Sequence, residues 1–350
     1  MTGSPRVFVA TPLRPDLVER IQTAYPEVEV VAQQDLLPPQ RYRGDHAGPA
    51  DFARSEADDQ RFWGLVRDCD VLYGIPDDGP AGLLKAAEGN ERLRWVQLMA
   101  AGGGATVVAA DLPEGARARV QFTTAAGVHA SQLAEFAIMG VLMGLKRMPH
   151  LARLQREHDW PRVHTANRSA VGATVLVLGL GAIGAEVARL AAALNMHVIG
   201  VARTPRQVPQ VDRVMSLDDV SEVIGEADAI VVALPGTKAT VGLVGAEFLS
   251  CAKDGVTLVN VGRGPVVDEA ALVEAMGSDK VSCAVLDVTE TEPLPQMSPL
   301  WDLDNVYLSP HSAALDDYED DRICDLFIEN LGRYLRDEPL ANLIDIDAGY

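Results

Sequence analysis

Cysteines and closely spaced histidines are scarce in this sequence, and their scarcity excludes two classes of site. The chain has four cysteines and seven histidines in 350 residues. No two cysteines form a C-x-x-C pair, so neither a redox dithiol nor a cysteine-bound zinc site is predicted. No two histidines have the spacing of metal ligands on one element, and we therefore expect no bound metal. Three of the cysteines lie in apolar runs, which is typical of buried free thiols in a reducing cytoplasm.

Long apolar runs and an excess of basic residues are also absent. No run is long enough to span a bilayer, and the polar start of the chain does not resemble a signal peptide, so we expect a cytoplasmic protein. Lys and Arg number 30 against 50 Asp and Glu, which gives a formal charge of −20. This charge disfavours binding to nucleic acid or to an anionic membrane, but it indicates no partner by itself.

Apolar strand-like runs alternate with helical patterns through both halves of the chain, which predicts an α/β fold with two doubly wound parallel sheets. We expect helices at residues 15–25, 131–151 and about 317–335, and a surface loop at 34–59. The predicted strands are residues 6–10, 28–31, 69–74, 93–98, 175–178, 198–201, 229–234, 257–261, 283–287 and 306–308.

A glycine motif stands between the fifth of these strands and a helical pattern. Gly179, Gly181 and Gly184 have the spacing G-x-G-x-x-G, in which the glycines permit a tight turn, a close pyrophosphate and close helix packing. The phosphates would lie at the helix N-terminus, where unpaired amides favour negative charge. Glycine-rich turns are common, but the preceding strand and the following helix favour a dinucleotide site here.

The end of the next strand indicates which dinucleotide binds. An acidic residue in that region holds the ribose 2′-hydroxyl of NAD, but the sequence here is Ala202, Arg203, Thr204, Pro205, Arg206. A guanidinium offers charge and paired donors to a 2′-phosphate. The pattern therefore favours NADP, with NAD possible, although two solvated surface arginines would give the same sequence.

Three residues that could perform chemistry follow the last predicted strands, where open α/β sheets build their sites. Arg263 is flanked by glycines and could hold a substrate carboxylate and the adjacent carbonyl. His311 could deliver a proton, and Glu292 could orient its ring. Each also has an ordinary alternative as a strand cap, a turn residue or a loop charge. Their order after a nucleotide motif favours reduction of a 2-oxo acid.

With these segments in view, the sequence resembles the D-isomer-specific 2-hydroxyacid dehydrogenase family, closest to its glyoxylate/hydroxypyruvate reductases. The resemblance extends from residues 98–103 through the glycine motif to residues 309–311, and its most specific parts are residues 260–264, 287–295 and 298–311. Ala100, Gly103 and Gly104 depart from the usual Gly-Ala-Gly-Val-Asp loop, and Gly236 replaces a bulkier apolar residue.

The resemblance implies a flavodoxin-like substrate domain, residues 1–104 with 312–350, and an inserted Rossmann cofactor domain, residues 105–311. It implies Arg263, Glu292 and His311 as catalytic residues, and a homodimer formed through the helix that opens near residues 127–135. The implied substrate-binding residues are Ala101, Gly102, Gly103, Arg263 and His311. The predicted cofactor-binding residues are Gly179, Gly181, Ala182, Ile183, Gly184, Ala202, Arg203, Thr204, Arg206, Leu234, Pro235, Val261, Arg263 and Asp287.

The function predicted from these observations is hydride transfer between NADPH and a small 2-oxo acid, which gives the D-2-hydroxy acid. Two alternatives stay open: an NAD-dependent D-2-hydroxyacid dehydrogenase for a bulkier substrate, and a nucleotide-sensing interaction protein with little turnover. The pocket for the substrate side chain is expected near Tyr73, Gly102 and Trp301.

Overall fold

The computed structural model describes residues 4–346, and these fall into two compact units. Residues 4–129 and 315–346 form the first unit, and residues 130–314 form the second. The chain therefore leaves the first unit, builds the whole of the second and returns to the first. Each unit contains one parallel sheet with helices packed on both faces, which confirms the predicted α/β class.

The elements alternate along the chain as the pattern predicted. The strands are β1 Arg6–Val9, β2 Glu29–Val31, β3 Val71–Tyr73, β4 Trp95–Gln97, β5 Gln121–Thr123, β6 Thr174–Leu178, β7 His197–Val201, β8 Arg213–Met215, β9 Ala229–Val232, β10 Val256–Asn260, β11 Val281–Leu286 and β12 Val306–Leu308. The helices are α1 Pro15–Ala24, α2 Glu56–Arg67, α3 Pro80–Gly89, α4 Gly104–Ala109, α5 Glu114–Arg119, α6 Ala130–Leu145, α7 Met148–Glu157, α8 Ala182–Ala193, α9 Ala246–Cys251, α10 Glu269–Gly277 and α11 Glu319–Leu335.

The order of the strands places the functional edges. The first sheet has the order β2-β1-β3-β4-β5, which is flavodoxin-like, and the second has the Rossmann order β12-β11-β10-β9-β6-β7-β8. All strand pairs are parallel, so the carboxyl ends of each sheet lie along one edge. The strand order reverses direction between β1 and β3 in the first sheet and between β6 and β9 in the second. Ligands of open α/β folds bind at these positions.

Apolar residues of the central strands form the cores, because both faces of each sheet are covered. Val175, Leu176, Val177 and Leu178 are all fully buried, which matches the continuous apolar run of a central parallel strand. The tail helix α11 packs Phe327 against Tyr73 and Trp95 in the first unit. The tail therefore belongs to the core of the N-terminal half, as the sequence suggested.

The structure corrects three sequence-based predictions. Residues 105–129 were assigned to the cofactor domain but lie in the first unit, because β5 pairs with β4 and completes the first sheet. The single helix predicted over residues 131–151 is two helices, α6 and α7, since the backbone turns at Arg147 with φ of 55° and a new helix begins at Met148 with Pro149 in its first turn. The short strands β5 and β8 were missed, because they begin with the polar residues Gln121 and Arg213 and so give no apolar run to recognise.

Candidate functional site

The glycine motif forms the turn between β6 and α8 at the reversal point of the second sheet. Gly179 has a φ of 101°, which only glycine adopts without strain. A side chain at Gly184 would meet the carbonyl oxygen of Gly179 at 1.8 Å, so this glycine lets α8 pack closely on the turn. At Gly181 a Cβ atom would meet nothing within 4 Å, which leaves open space in front of the helix.

The start of α8 fits the phosphates of a dinucleotide. The helix begins at Ala182 after Gly181. The first amides of a helix have no acceptor within it, and they attract anions together with the helix dipole. Ala182 is exposed and Ile183 is half-buried. The open space at Gly181 and these amides form a cradle whose polarity suits a pyrophosphate.

The end of β7 carries no carboxylate within residues 202–206. The amide of Ala202 donates to the carbonyl of Met215 at 3.0 Å, which holds the strand end against β8. Arg203, Thr204 and Arg206 follow and are exposed. This segment therefore offers two guanidinium groups beside the strand end that conventionally receives the adenine ribose.

The remaining predicted cofactor residues follow neighbouring strands on the same edge. Leu234 and Pro235 come directly after β9, and the carbonyl of Pro235 accepts a 2.6 Å hydrogen bond from Thr240. Val261 follows β10 and donates its amide to the carbonyl of Val232 at 3.0 Å. The strand ends of β6, β7, β9, β10 and β11 thus bring all of these positions to one edge of the second sheet.

Arg263 lies in a turn that a buried asparagine holds. Asn260 is 1% exposed; its side chain accepts from the amide of Gly262 at 3.0 Å and donates to the carbonyl of Arg263 at 3.2 Å. Sequence reasoning missed this role of Asn260. An amide that ends a buried strand two residues before a glycine is the signal that could have suggested it. Arg263 itself is exposed, and its guanidinium donates to the carbonyl of Gly262 at 2.8 Å.

Glu292 and His311 are brought together across the ends of β11 and β12. The Nδ1 atom of His311 lies 2.7 Å from a carboxylate oxygen of Glu292. The other oxygen of Glu292 accepts from the amide of Thr289 at 3.1 Å, so the carboxylate is fixed at both atoms. The side chains are 53% and 38% exposed. The pair is thus oriented and still accessible to solvent.

Asp287 fixes the loop that carries His311. This carboxylate is 2% exposed, and its Oδ1 atom accepts hydrogen bonds from the Ser309 hydroxyl and from the amides of Ser312 and Ala313, at 2.7–2.9 Å. The carbonyl of Asp287 also accepts from the amide of His311 at 2.9 Å. His311 has a φ of 55°, an uncommon conformation for a residue with a side chain. These bonds stabilise it.

In the first unit, the loop after β4 contains the predicted substrate-binding residues. Ala101 and Gly102 are exposed, and their amides donate to no acceptor within residues 4–346. The amide of Gly103 donates to the carbonyl of Ala100 at 3.4 Å, and α4 begins at the next residue. Two adjacent unbonded amides are suited to binding a carboxylate. The side chain of Tyr73 is fully buried in the core, so only the loop that follows it could face a substrate.

The structure gives no indication of a metal or a membrane span in the part that it describes. Within residues 4–346, no group of three or more His, Cys, Asp or Glu side chains could hold a metal ion. No helix in the same range is long and apolar enough to cross a membrane. The cysteines are free, and burial raises the pKa of Cys69, Cys283 and Cys324 to about 12. These three thiols are therefore unsuited to chemistry at neutral pH.

Comparison with known proteins identifies the family. Residues 138–313 match the NAD binding domain of D-isomer specific 2-hydroxyacid dehydrogenases. A glyoxylate reductase of Korarchaeum cryptofilum is 30% identical over 80% of this chain and 84% of its own length. The chain belongs to the D-isomer-specific 2-hydroxyacid dehydrogenase family. It is therefore an oxidoreductase that acts on CH–OH groups with a nicotinamide cofactor.

Two solved structures extend the likeness to the whole chain. A D-isomer specific 2-hydroxyacid dehydrogenase from Xanthobacter autotrophicus, in complex with NADPH and MES, has a TM-score of 0.77 and 30% identity, covering 99% of this chain and all of its own. An NADPH-dependent glyoxylate/hydroxypyruvate reductase from Sinorhizobium meliloti, in complex with NADP and sulfate, has a TM-score of 0.74 and 26% identity with the same coverage.

Proposed function

We propose that this dehydrogenase uses NADPH to reduce a small 2-oxo acid to the D-2-hydroxy acid, as glyoxylate/hydroxypyruvate reductases do. The observation that carries the proposal is the 2.7 Å contact between His311 and Glu292, on the same sheet edge as the dinucleotide turn. Solved relatives bound to NADPH and NADP support the choice of cofactor.

The cradle at Gly181 and the first amides of α8 would hold the pyrophosphate, and Arg203 and Arg206 would bind the 2′-phosphate. Ala202 and Thr204 would line the ribose. The remainder of the cofactor would be contacted by Leu234, Pro235, Val261 and Asp287. When bound, the reduced nicotinamide supplies the hydride. The protein has to hold the substrate, polarise its carbonyl and provide the proton.

In our proposal His311 is the proton donor. Its Nδ1–H donates to Glu292, so the carboxylate stabilises the imidazolium and leaves Nε2–H to protonate the developing alkoxide. Arg263 binds the substrate carboxylate and the carbonyl oxygen. In the first unit, the unbonded amides of Ala101 and Gly102 are by themselves suited to a carboxylate. Asn260 and Asp287 act as positioning residues, because they fix the loops that carry Arg263 and His311.

A substrate panel tests the proposal directly. NADPH oxidation, followed by absorbance, should be seen with glyoxylate or hydroxypyruvate and should give the D-isomer where the product is chiral. Turnover with NADH and bulkier 2-oxo acids alone would favour the NAD-dependent alternative. Tight NADPH binding with no turnover of any acid would refute the enzymatic proposal and favour a nucleotide sensor.

The cofactor preference has its own test. Arg203→Ala should raise the KM for NADPH about ten- to a hundredfold, because a charge-assisted hydrogen bond contributes about 1.5–3 kcal/mol, and should change the KM for NADH little. Arg189→Ala is a matched control, since this exposed arginine on α8 pairs with Glu186. Equal effects on both cofactors would refute the role of Arg203.

We also propose that the protein is a homodimer, with α6, α7 and the following segment at the interface. Large apolar side chains are exposed there, which monomeric proteins rarely concentrate on one region. The exposed residues are Met139, Met148, Leu151, Trp160 and Val163. Light scattering after size-exclusion chromatography should give twice the chain mass, and a monomer would refute this proposal. A cytoplasmic location stays a prediction from the sequence.

A further inference from the structure

A second groove lies within the first unit, at the carboxyl ends of β1 and β3. It has a volume of about 640 Å³ and is lined by Ala10, Arg41, His46, Phe52, Asp77 and Asp78, among others. β1 and β3 are the strands between which the order of the first sheet reverses. Open α/β sheets bind ligands at this position, so the groove is where the fold itself predicts a ligand.

One wall of the groove is residues 38–54, which we call the strap. Its centre is Asp45, whose buried carboxylate accepts a bidentate pair of bonds from Arg41 at 2.7 and 2.9 Å and a third bond from the amide of Gly48. The guanidinium of Arg41 holds the pKa of this carboxyl well below its usual range. The sequence suggested only a surface loop here, whereas the strap is a built structure.

Contacts made by His46 and Arg54 connect the strap to other elements of the first unit. His46 is hydrogen-bonded to Asp320 of α11 at 2.9 Å, and its carbonyl accepts from Thr11 at 3.1 Å. Arg54 stacks on the ring of Phe62 at 3.6 Å and donates to Asp77 at 2.7 Å. A wall held in this way is preorganised, which is what a specificity pocket requires.

The opposite wall presents an acidic group without a partner. Asp77 and Asp78 have φ values of 57° and 42°, and two successive residues with side chains in this region are unusual. Such conformations concentrate at functional sites. Asp77 is paired with Arg54, but the carboxylate of Asp78 accepts no hydrogen bond from any residue in 4–346. Desolvation raises the pKa of Asp78 above its ordinary value.

The groove adjoins the loop proposed to hold the substrate carboxylate. Tyr73 at the end of β3 is paired with Gln97 at the end of β4, and that loop begins three residues later. Neighbouring strands are about 4.8 Å apart, so the ends of β3 and β1 lie about 5–10 Å from the end of β4. A two-carbon acid at the loop ends short of the groove, and a longer one reaches it.

The charges of the groove indicate which substituent it accepts. Arg41 is neutralised by Asp45, and Arg54 is shared between Asp77 and Asp59. Within residues 4–346 Asp78 has no hydrogen-bonded or ion-paired partner; His46 attracts it electrostatically but is itself bonded to Asp320. The groove therefore favours a hydrogen-bond donor and repels a second carboxylate.

We propose that the groove is the specificity pocket for the distal end of the substrate, and that the preferred substrate is a 2-oxo acid of about four carbons with a terminal hydroxyl group bound by Asp78. This inference rests on the proposed function, because it assumes that the substrate carboxylate binds at the loop after β4.

Three four-carbon acids with different ends test the inference: 2-oxobutanoate, 4-hydroxy-2-oxobutanoate and oxaloacetate. With the whole enzyme and NADPH or NADH, kcat/KM should be about tenfold higher for the hydroxylated acid than for 2-oxobutanoate, since one well-placed hydrogen bond is worth that factor. Oxaloacetate should be the poorest of the three. Glyoxylate serves as the substrate that does not reach the groove.

Asp78→Ala should remove the hydroxyl preference, and Asp78→Asn should reduce it, because the amide oxygen still accepts a hydrogen bond but carries no charge. Both variants should improve oxaloacetate about fivefold. Their activity on glyoxylate should stay within about twofold of the wild type. Asn tolerates a positive φ, so Asp78→Asn should fold even if the alanine variant does not. Asp51→Asn is the matched control, because this exposed strap residue does not line the groove.

Different results would overturn the specificity pocket and the proposed reductase function. Turnover of glyoxylate with no preference among the four-carbon acids, or a preference that Asp78→Asn leaves unchanged, would overturn the pocket and leave the reductase intact. A preference for oxaloacetate would also overturn it. No turnover of any of the four acids or of hydroxypyruvate would refute the proposed function, and the pocket with it.

Discussion

Two kinds of histidine–carboxylate pair occur in this molecule, and their contacts are nearly identical. His311 and Glu292 in the second unit are 2.7 Å apart. In the first unit His46 lies 2.9 Å from Asp320, and His129 lies 2.8 Å from Glu319. A hydrogen-bond distance alone would therefore give all three histidines the same role.

Their surroundings separate them. The His311 and Glu292 side chains are 53% and 38% exposed, whereas those of His129 and Glu319 are 13% and 7% exposed. The buried pairs connect the first turn of α11 to His46 in the strap and to His129, after which the chain leaves the first unit. A buried charge that loses its partner destabilises the fold, whereas an exposed pair is free to exchange protons with a substrate. The comparison teaches that exposure, and not contact, distinguishes a catalytic candidate.

The largest expected effect comes from His311→Ala. If the exposed pair is catalytic, kcat should fall about 10²- to 10⁴-fold, because the proton donor is lost. The melting temperature and the Kd for NADPH should change little, since the side chain is exposed. Steady-state kinetics, thermal unfolding and fluorescence titration measure the three quantities. A kcat close to that of the wild type would show that exposure does not distinguish a catalytic pair from a structural one.

Glu292→Gln should have the next largest effect. It keeps the shape of the side chain but removes the charge that stabilises the imidazolium, so kcat should fall about ten- to a hundredfold. In the reductive direction the alkaline limb of the kcat profile against pH should move to lower pH, because the proton-donating imidazolium loses its stabilising carboxylate; loss of structure alone would not produce this shift. Exposed Glu290 offers a matched control as Glu290→Gln. An unchanged pH profile would contradict the role of Glu292.

His129→Ala tests the buried side of the comparison. The carboxylate of Glu319 is 7% exposed, and its Oε2 atom already has no hydrogen-bond partner. Removal of His129 leaves the other oxygen unpaired as well, which should lower the free energy of unfolding by about 1–3 kcal/mol. The kcat of the folded enzyme should be retained. Urea unfolding and steady-state kinetics give these values, and a large loss of kcat without a loss of stability would be the contrary result.

The smallest expected effect is the pH dependence contributed by Asp320. Burial opposes its ionisation, but the hydrogen bond and the field of His46 outweigh burial and lower the pKa of the carboxyl. Its stabilising contribution is therefore fully present above the unfolded pKa of about 3.9 and is lost as the pH falls through the native value. Asp320→Asn should lower the free energy of unfolding at pH 7 by about 0.5–1.5 kcal/mol.

Urea unfolding between pH 3 and 6 tests this dependence. The difference between Asp320→Asn and the wild type should shrink as the pH is lowered. A difference that is constant over this range would show that the pair contributes packing and not charge.

Periodicity predicted most of the fold, because parallel strands buried on both faces are unmistakable apolar runs. Periodicity did not predict elements that are short or that are recognised only by their pairing with a neighbouring strand. β5 has three residues, and its place in the first sheet depends on β4. The break at Arg147 lies where Lys146, Arg147 and Pro149 interrupt the apolar pattern, a signal that the prediction of one helix overlooked. The domain boundary was misplaced for the first of these reasons.

The residues of the candidate site also divide into those that local spacing identifies and those that only the folded structure identifies. Gly179, Gly184, Arg263 and His311 could be named from motif spacing, since each lies next to an apolar strand with a recognisable end. The roles of Asn260 and Asp287 as anchors of the loops could not, because their partners are backbone amides that any sequence supplies. Asp78 became a candidate only when the strap and the end of β3 were seen to form one groove.

The sequence by itself determined the α/β fold, the dinucleotide turn and the order of Arg263, Glu292 and His311 along the chain, because these follow from local spacing and residue type. The tertiary structure decided which histidines are exposed and which are buried, that Tyr73 belongs to the core, and that Asp78 has no hydrogen-bonded partner among residues 4–346. Burial and pairing depend on residues far apart in the chain, such as Cys324 and Leu17, which are separated by 307 positions. Only the folded chain brings such residues together and gives equal chemical groups unequal surroundings.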